Sequence, residues 1–222
     1  SWIDSDEPGG PTYSWIDISG IGTEASFSSV DDGNSGPLPI GFNFPFYGNS
    51  FGTVNACTNG WLSFTSDETS YSNAALPSSG YRVPENLLAP FWDDLHFRST
   101  GAVHYYTDGS RFIVQYTDVE RYSSGSLLTF QVILYPSGRI VYQYESVVGY
   151  LTSCTVGIQN ADRTDGVLYT YWNNYPGGAA TLQAGRAIAF RTVEAQVQGV
   201  LRGAVVNSTD GTTGVDGAVV TV

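Results

Sequence analysis

Arg111-Phe112-Ile113-Val114-Gln115-Tyr116 is the stretch that decides the fold. Phe112, Val114 and Tyr116 alternate with Ile113 and Gln115, so an extended segment carries a wholly apolar face and a mixed one, the two-residue period of a strand. Thr129 to Tyr135 repeats the alternation, and so does Arg139-Ile140-Val141-Tyr142-Gln143-Tyr144. Between them Pro136-Ser137-Gly138 supplies a turn, and the three segments read as a β-meander. Upstream, Ala102 to Thr107 followed by Asp108-Gly109 reads as a hairpin whose dipeptide tolerates the positive φ angles of a tight I′ turn. Further strands are expected at Phe42 to Phe46, Phe51 to Cys57, Trp61 to Phe64, Leu88 to Asp94, Cys154 to Gln159, Val167 to Tyr171 and Arg186 to Arg191. Helical spacing of apolar residues is absent from every Gly- and Pro-free window long enough to matter. Many short strands joined by turns predict an all-β chain: a large antiparallel, jelly-roll-like β-sandwich.

Two stretches fall outside that pattern. Ser66 to Gly80 is polar, ends in Pro77-Ser78-Ser79-Gly80 and reads as a loop. Beyond Val193 to Gln198 the composition shifts, and the last residues read as two strands joined by a polar loop, which cannot bury a core alone. Residues 1–194 are therefore expected to form the sandwich. Residues 195–222 are read as the opening hairpin of a second, incomplete sandwich, or as edge strands packed on the first. Ser1-Trp2-Ile3-Asp4 recurs as Ser14-Trp15-Ile16-Asp17, an echo too short to be a repeat.

Composition narrows the function. All nine basic residues are Arg, against 21 Asp and Glu, giving a net charge of −12 in 222 residues. Phosphate backbones and anionic membranes need clustered Lys and Arg, so neither nucleic acid nor a polybasic membrane contact is expected. No apolar run reaches the length of a membrane helix, and the first residues lack a basic and then apolar leader. Charged residues make up only 14%, while 26 Gly and abundant Tyr and Trp suit a sheet protein.

Catalytic patterns are thin. Gly48-Asn49-Ser50-Phe51-Gly52 matches G-x-S-x-G, but that nucleophile elbow needs a helix after the Ser, and here another strand follows. His96 and His104 are the two available imidazoles; with Asp93 and Asp94 they supply metal-ligand types without metal-ligand spacing. Calcium suits the chain better, because closely spaced loop carboxylates and amides offer hard oxygens. Its candidate ligands are Asp31, Asp32 and Asn34 in one cluster and Asp162 and Asp165 in another, with Asx turns as the alternative use of the same side chains. Tyr169, Tyr171, Trp172 and Tyr175 form the densest aromatic run, a candidate ligand rim on which sugars or extended peptides would stack.

Pro11 to Ile18, Gly41-Phe42-Asn43-Phe44-Pro45-Phe46-Tyr47-Gly48, Thr58-Asn59-Gly60-Trp61-Leu62-Ser63-Phe64 and Glu85 to Leu95 resemble non-catalytic β-rich modules of secreted bacterial multidomain proteins, which often lie downstream of subtilisin-like peptidase domains. The resemblance covers roughly residues 11 to 191. More distantly, Ala89-Pro90-Phe91-Trp92-Asp93-Asp94 with Gly101 to Tyr106 is similar to nidogen-type extracellular domains, and the tail from Val197 looks like the start of a carboxypeptidase regulatory-like module. Such modules often show Ser where this chain has Cys57 and Cys154, and the paired departure implies a Cys57–Cys154 disulfide, with two buried thiols as the alternative. The resemblance implies a secreted or cell-surface accessory module, not an enzyme, that serves attachment, substrate or glycan binding, or spacing. Its partners would be proteins or glycans on a surface. The rival expectation is a self-assembling fibre subunit whose tail or end strand completes another copy by β-augmentation.

Overall fold

A computed structural model describes residues 1–97, 101–122, 124–149 and 152–191. The chain is an antiparallel two-sheet sandwich. The larger sheet runs β1 (Trp2–Asp4), β14 (Arg186–Phe190), β11 (Ile140–Val148), β10 (Leu127–Leu134), β9 (Phe112–Arg121), β8 (Ala102–Thr107) and β2 (Thr23–Glu24), with β7 (Leu95–His96) paired to β9. The smaller runs β13 (Gly166–Tyr171), β12 (Thr155–Gln159), β6 (Leu87–Trp92), β5 (Trp61–Ser63), β4 (Asn49–Cys57) and β3 (Asn34–Phe46). The expected β8 to β11 meander is present, and the Ser66 to Gly80 segment carries no strand. The hairpin expected within residues 195–222 lies outside the described residues.

Register explains the core. Phe130 of β10 pairs with Tyr116 of β9 and Tyr144 of β11, and Leu134 with Phe112 and Ile140, so the apolar faces read from sequence line up in rows. They meet Leu38, Ile40, Phe44, Phe46, Val54, Leu62, Leu88, Val156 and Ile158 of the smaller sheet in one buried cluster. The Tyr hydroxyls inside it reach main-chain carbonyls: Tyr116 to Cys57 at 2.9 Å, Tyr142 to Gly157 at 3.1 Å and Tyr144 to Pro90 at 2.6 Å. Each thereby avoids the cost of an unpaired buried hydroxyl.

Two turns differ from their expected forms. After Thr107 the connection is four residues long, because Asp108 Oδ1 accepts from the backbone N–H of Ser110 (2.9 Å) and Arg111 (3.1 Å) and only Gly109 of the pair takes positive φ. The two-residue hairpin with positive φ at both positions is Tyr47-Gly48 between β3 and β4, with φ 45° and 79°. Ser50 follows that turn inside β4, so no helix follows it and the G-x-S-x-G match is a hairpin.

Both sheets are covered on their outer faces. Across the larger sheet runs the segment Gly10 to Gly22, whose Ile16 and Ile18 pack on Ile113, Ile133 and Val141. Gln143 Oε1 accepts from Ser14 N (2.6 Å) while its Nε2 donates to Ser14 O (2.9 Å), and Gln115 Oε1 accepts from Ile18 N (2.9 Å). Over the smaller sheet lies the long polar loop, where Trp61 Nε1 (3.0 Å) and Trp92 Nε1 (2.9 Å) share the Ser70 carbonyl.

Candidate functional site

The Thr58-Asn59-Gly60 turn between β4 and β5 organises one end of the sandwich. Thr58 Oγ1 accepts from Gly33 N at 2.9 Å, and Thr58 N donates to Gly33 O at 2.9 Å, tying down the β2–β3 loop. Asn59 is fully buried and connects three more segments: its Nδ2 donates to Asp32 Oδ1 (2.8 Å) and Thr69 O (3.0 Å), and its Oδ1 accepts from Leu95 N (2.9 Å). Gly60 has φ +73°, and a Cβ there would lie 2.0 Å from the Phe91 carbonyl oxygen, so only glycine fits.

These bonds bring Asp31 and Asp32 of the β2–β3 loop beside Asp94 of the β6–β7 corner, with carboxylate oxygens within 4.8 Å of one another. Burial, reinforced by the charges of Asp31, Asp32 and Asp93, raises the Asp94 pKa above its ordinary value, and Arg121 offsets part of that. Three close oxygens from two loops suit a hard cation better than a soft one. Asp94, read from the sequence only with Asp93, His96 and His104, lies outside the expected calcium clusters, since only the fold brings it to residues some sixty positions upstream.

The other expected ligands go elsewhere. Asn34 Oδ1 accepts from Gly36 N (2.8 Å) and its Nδ2 donates to Glu68 O, so it pins its own strand. Asp162 and Asp165 are exposed in the β12–β13 loop, where Asn160 Oδ1 caps Thr164 N (3.0 Å) and Asp165 N (3.1 Å), the Asx alternative. Neither joins a group of three acidic, His or Cys ligands among the described residues. Asp93 directs Oδ2 to Arg121 Nε (3.1 Å) and the Ser153 hydroxyl, while its Oδ1 accepts from Asp94 N (2.8 Å).

The aromatic run divides. Tyr169 is a core residue and not part of a rim: it is fully buried, its hydroxyl lies 2.8 Å from Asp4 Oδ2 and 2.6 Å from Ala180 O, and Trp2 packs edge-on against its ring at 5.0 Å. Tyr175 is half-buried against Tyr169, accepting from Leu182 N. Tyr171 and the exposed Trp172 remain at the surface, with their rings 6.3 Å apart.

The cysteines correct the disulfide expectation, because Cys57 and Cys154 are two buried thiols that are not joined to each other. Cys57 ends β4 and Cys154 immediately precedes β12, with β5 and β6 lying between those strands. Three inter-strand steps span about 14 Å, whereas a disulfide needs Cα atoms roughly 4.4 to 6.8 Å apart. Burial pushes the Cys57 thiol up to about 12 and raises Cys154 as well.

Among the described residues no helix is long and apolar enough to cross a membrane. No solved structure matches the chain. A family model does, over residues 9–198, and it takes in the Thr58-Asn59-Gly60 turn, the Asp93-Asp94 corner and every described strand except β1. The chain belongs to the NIDO-related family.

Proposed function

We propose that the chain is an extracellular, non-catalytic accessory module that attaches its parent protein to a glycan or protein surface. Its family is not a known enzyme family. The observation that carries attachment over spacing is the meeting of the two ends of the described domain. Ser1 N donates to Arg191 O and Arg191 N to Ser1 O, each at 3.0 Å, as β1 closes onto β14. A longer polypeptide threaded through residues 1 and 191 would enter and leave the module at one point. The module would then project from its parent and present its loops while adding little length. Co-sedimentation with insoluble polysaccharides and retention on immobilised surface proteins test this: saturable binding to at least one matrix is expected, and failure on every matrix removes attachment.

In this role calcium would sit at Asp31, Asp32 and Asp94, locking the β2–β3 loop to the β6–β7 corner. Calorimetric titration of chelator-treated protein checks it, with heat expected from the native chain and none from Asp94→Asn. The context we infer is a secreted multidomain protein, with a peptidase domain upstream and a regulatory-like module beginning near residue 195. Fibre assembly by strand addition has a narrower basis. Pro37, Pro39 and Pro45 put no N–H on one side of the edge strand β3, which blunts that edge.

A further inference from the structure

The hairpin turn Tyr47-Gly48 of the smaller sheet and the Pro136–Gly138 turn of the larger sheet meet at one end of the sandwich, where Gly138 abuts Pro45. Between them and Arg191 lies a cavity of about 540 Å³, within the range in which small-molecule sites fall. Its polar lining is Tyr47, Asn49, Ser50, Ser137, Arg139 and Arg191.

Charge makes this cavity unlike the rest of a chain whose net charge is −12. Arg82, Arg111, Arg121 and Arg186 each face a carboxylate. Arg163 donates to the Val83 carbonyl, and Arg139 and Arg191 face no carboxylate among the described residues while both open onto the same cavity. Arg139 stands over the Tyr135 ring at 5.6 Å, a contact that orients the guanidinium without neutralising it. Tyr47 is a second pointer. It is a bulky residue held at φ 45°, a conformation that such residues rarely adopt, and its hydroxyl is buried without a hydrogen-bond partner among the described residues.

We propose that this cavity binds a sugar carboxylate, with the acid group of a uronic acid on Arg139 and Arg191 and the ring on the Tyr47 side. Guanidinium forks match carboxylates two bonds at a time. An aromatic face takes the apolar face of a pyranose, while Asn49, Ser50 and Ser137 supply the donors and acceptors that sugar hydroxyls need. The site deepens the attachment reading and rests on it for the source of the ligand.

Nitrogen-15 amide NMR on the full chain tests it, by titration with glucuronate, glucose and sodium sulfate. Glucuronate is expected to shift Gly48, Ser50, Ser137 and Gly138 saturably, with glucose at least tenfold weaker. Arg139→Ala and Arg191→Ala should each weaken glucuronate at least tenfold. Equal binding of glucose, undiminished binding by the double Arg variant, or no saturable shift would overturn the proposal. Sulfate binding as tightly as glucuronate would reduce the site to a bare anion hole and overturn its sugar component. Matrix binding that survives the double Arg variant would leave attachment standing through another face, so the two readings fail separately.

Discussion

Three glutamines on adjacent strands should respond to the same substitution with opposite signs. Gln115, Gln131 and Gln143 stand side by side on β9, β10 and β11, facing the Gly10 to Gly22 segment, and each is almost fully buried. Gln143 holds both main-chain groups of Ser14, and Gln115 holds Ile18 N together with the Asp17 carboxylate. Gln131, between them and fully buried, has no partner among the described residues for either its amide nitrogen or its oxygen. Desolvating a polar group without a partner costs about 1 to 3 kcal/mol. Gln131→Met keeps roughly the volume, removes both orphaned atoms and should therefore stabilise the chain by about 1 to 3 kcal/mol. At about 2 to 4 °C per kcal/mol for a domain of this size, the melting temperature should rise by several degrees. Gln143→Met leaves Ser14 N and O without their partners and should cost a similar amount. Urea unfolding of the two variants beside the parent measures both signs, and an unchanged m-value keeps the comparison to stability alone. If Gln131→Met destabilises as much as Gln143→Met, the central amide is paired and the reasoning fails.

Gly60→Ala should cost more than about 3 kcal/mol or abolish folding, as Cβ would meet the Phe91 carbonyl at 2.0 Å and φ is +73°; the soluble yield and the chemical midpoint report it. The native thiols should resist alkylation, while unfolded protein takes up two equivalents and reductant leaves the melting temperature unchanged, because Cys57 and Cys154 are buried and not joined by a disulfide; one modified residue on unfolding would contradict this. Asp94→Asn in chelator should stabilise the chain at neutral pH. The folded pKa of Asp94 lies above its unfolded one, so the folded state binds the proton more tightly and stability falls as pH rises from the ordinary carboxylate range through the raised value. The variant should lose that slope, and a parent curve flat across the window would refute it. Asp4→Ala should cost about 1 to 3 kcal/mol, since Arg186 keeps Asp6 while Ala180 N and Asp6 N lose the acceptor they share with the Tyr169 hydroxyl; no loss in thermal unfolding would show the site solvated.

Alternation carried most of the fold. Phe112, Val114 and Tyr116 could be assigned to one face from spacing alone, because side chains one residue apart on a strand point to opposite faces. What spacing cannot show is which strands pair. Nothing local to Trp2-Ile3-Asp4 says that it closes onto Arg186–Phe190, a pairing set by buried Arg186 between Asp4 and Asp6. Asp94 was hidden for the same reason. Its place beside Asp31 depends on Asn59 reaching both loops, and a bond made across the fold leaves no period in the chain.

The second faces of the meander were legible in part. Ile113 and Gln115, Gln131 and Ile133, Val141 and Gln143 alternate with the core residues, and a face open to water would not have needed the isoleucines. Apolar residues mixed with amides suit a face crossed by another piece of backbone, since an amide can offer that backbone one donor and one acceptor, as Gln143 does for Ser14. Pairing two cysteines by their shared departure from a family pattern used no such physical constraint. Both positions are buried, and burial alone favours a small apolar side chain at each without requiring that the two sites touch. A pattern tied to what a side chain must bond or bury therefore located residues in this sandwich, whereas a pattern tied only to residue identity did not.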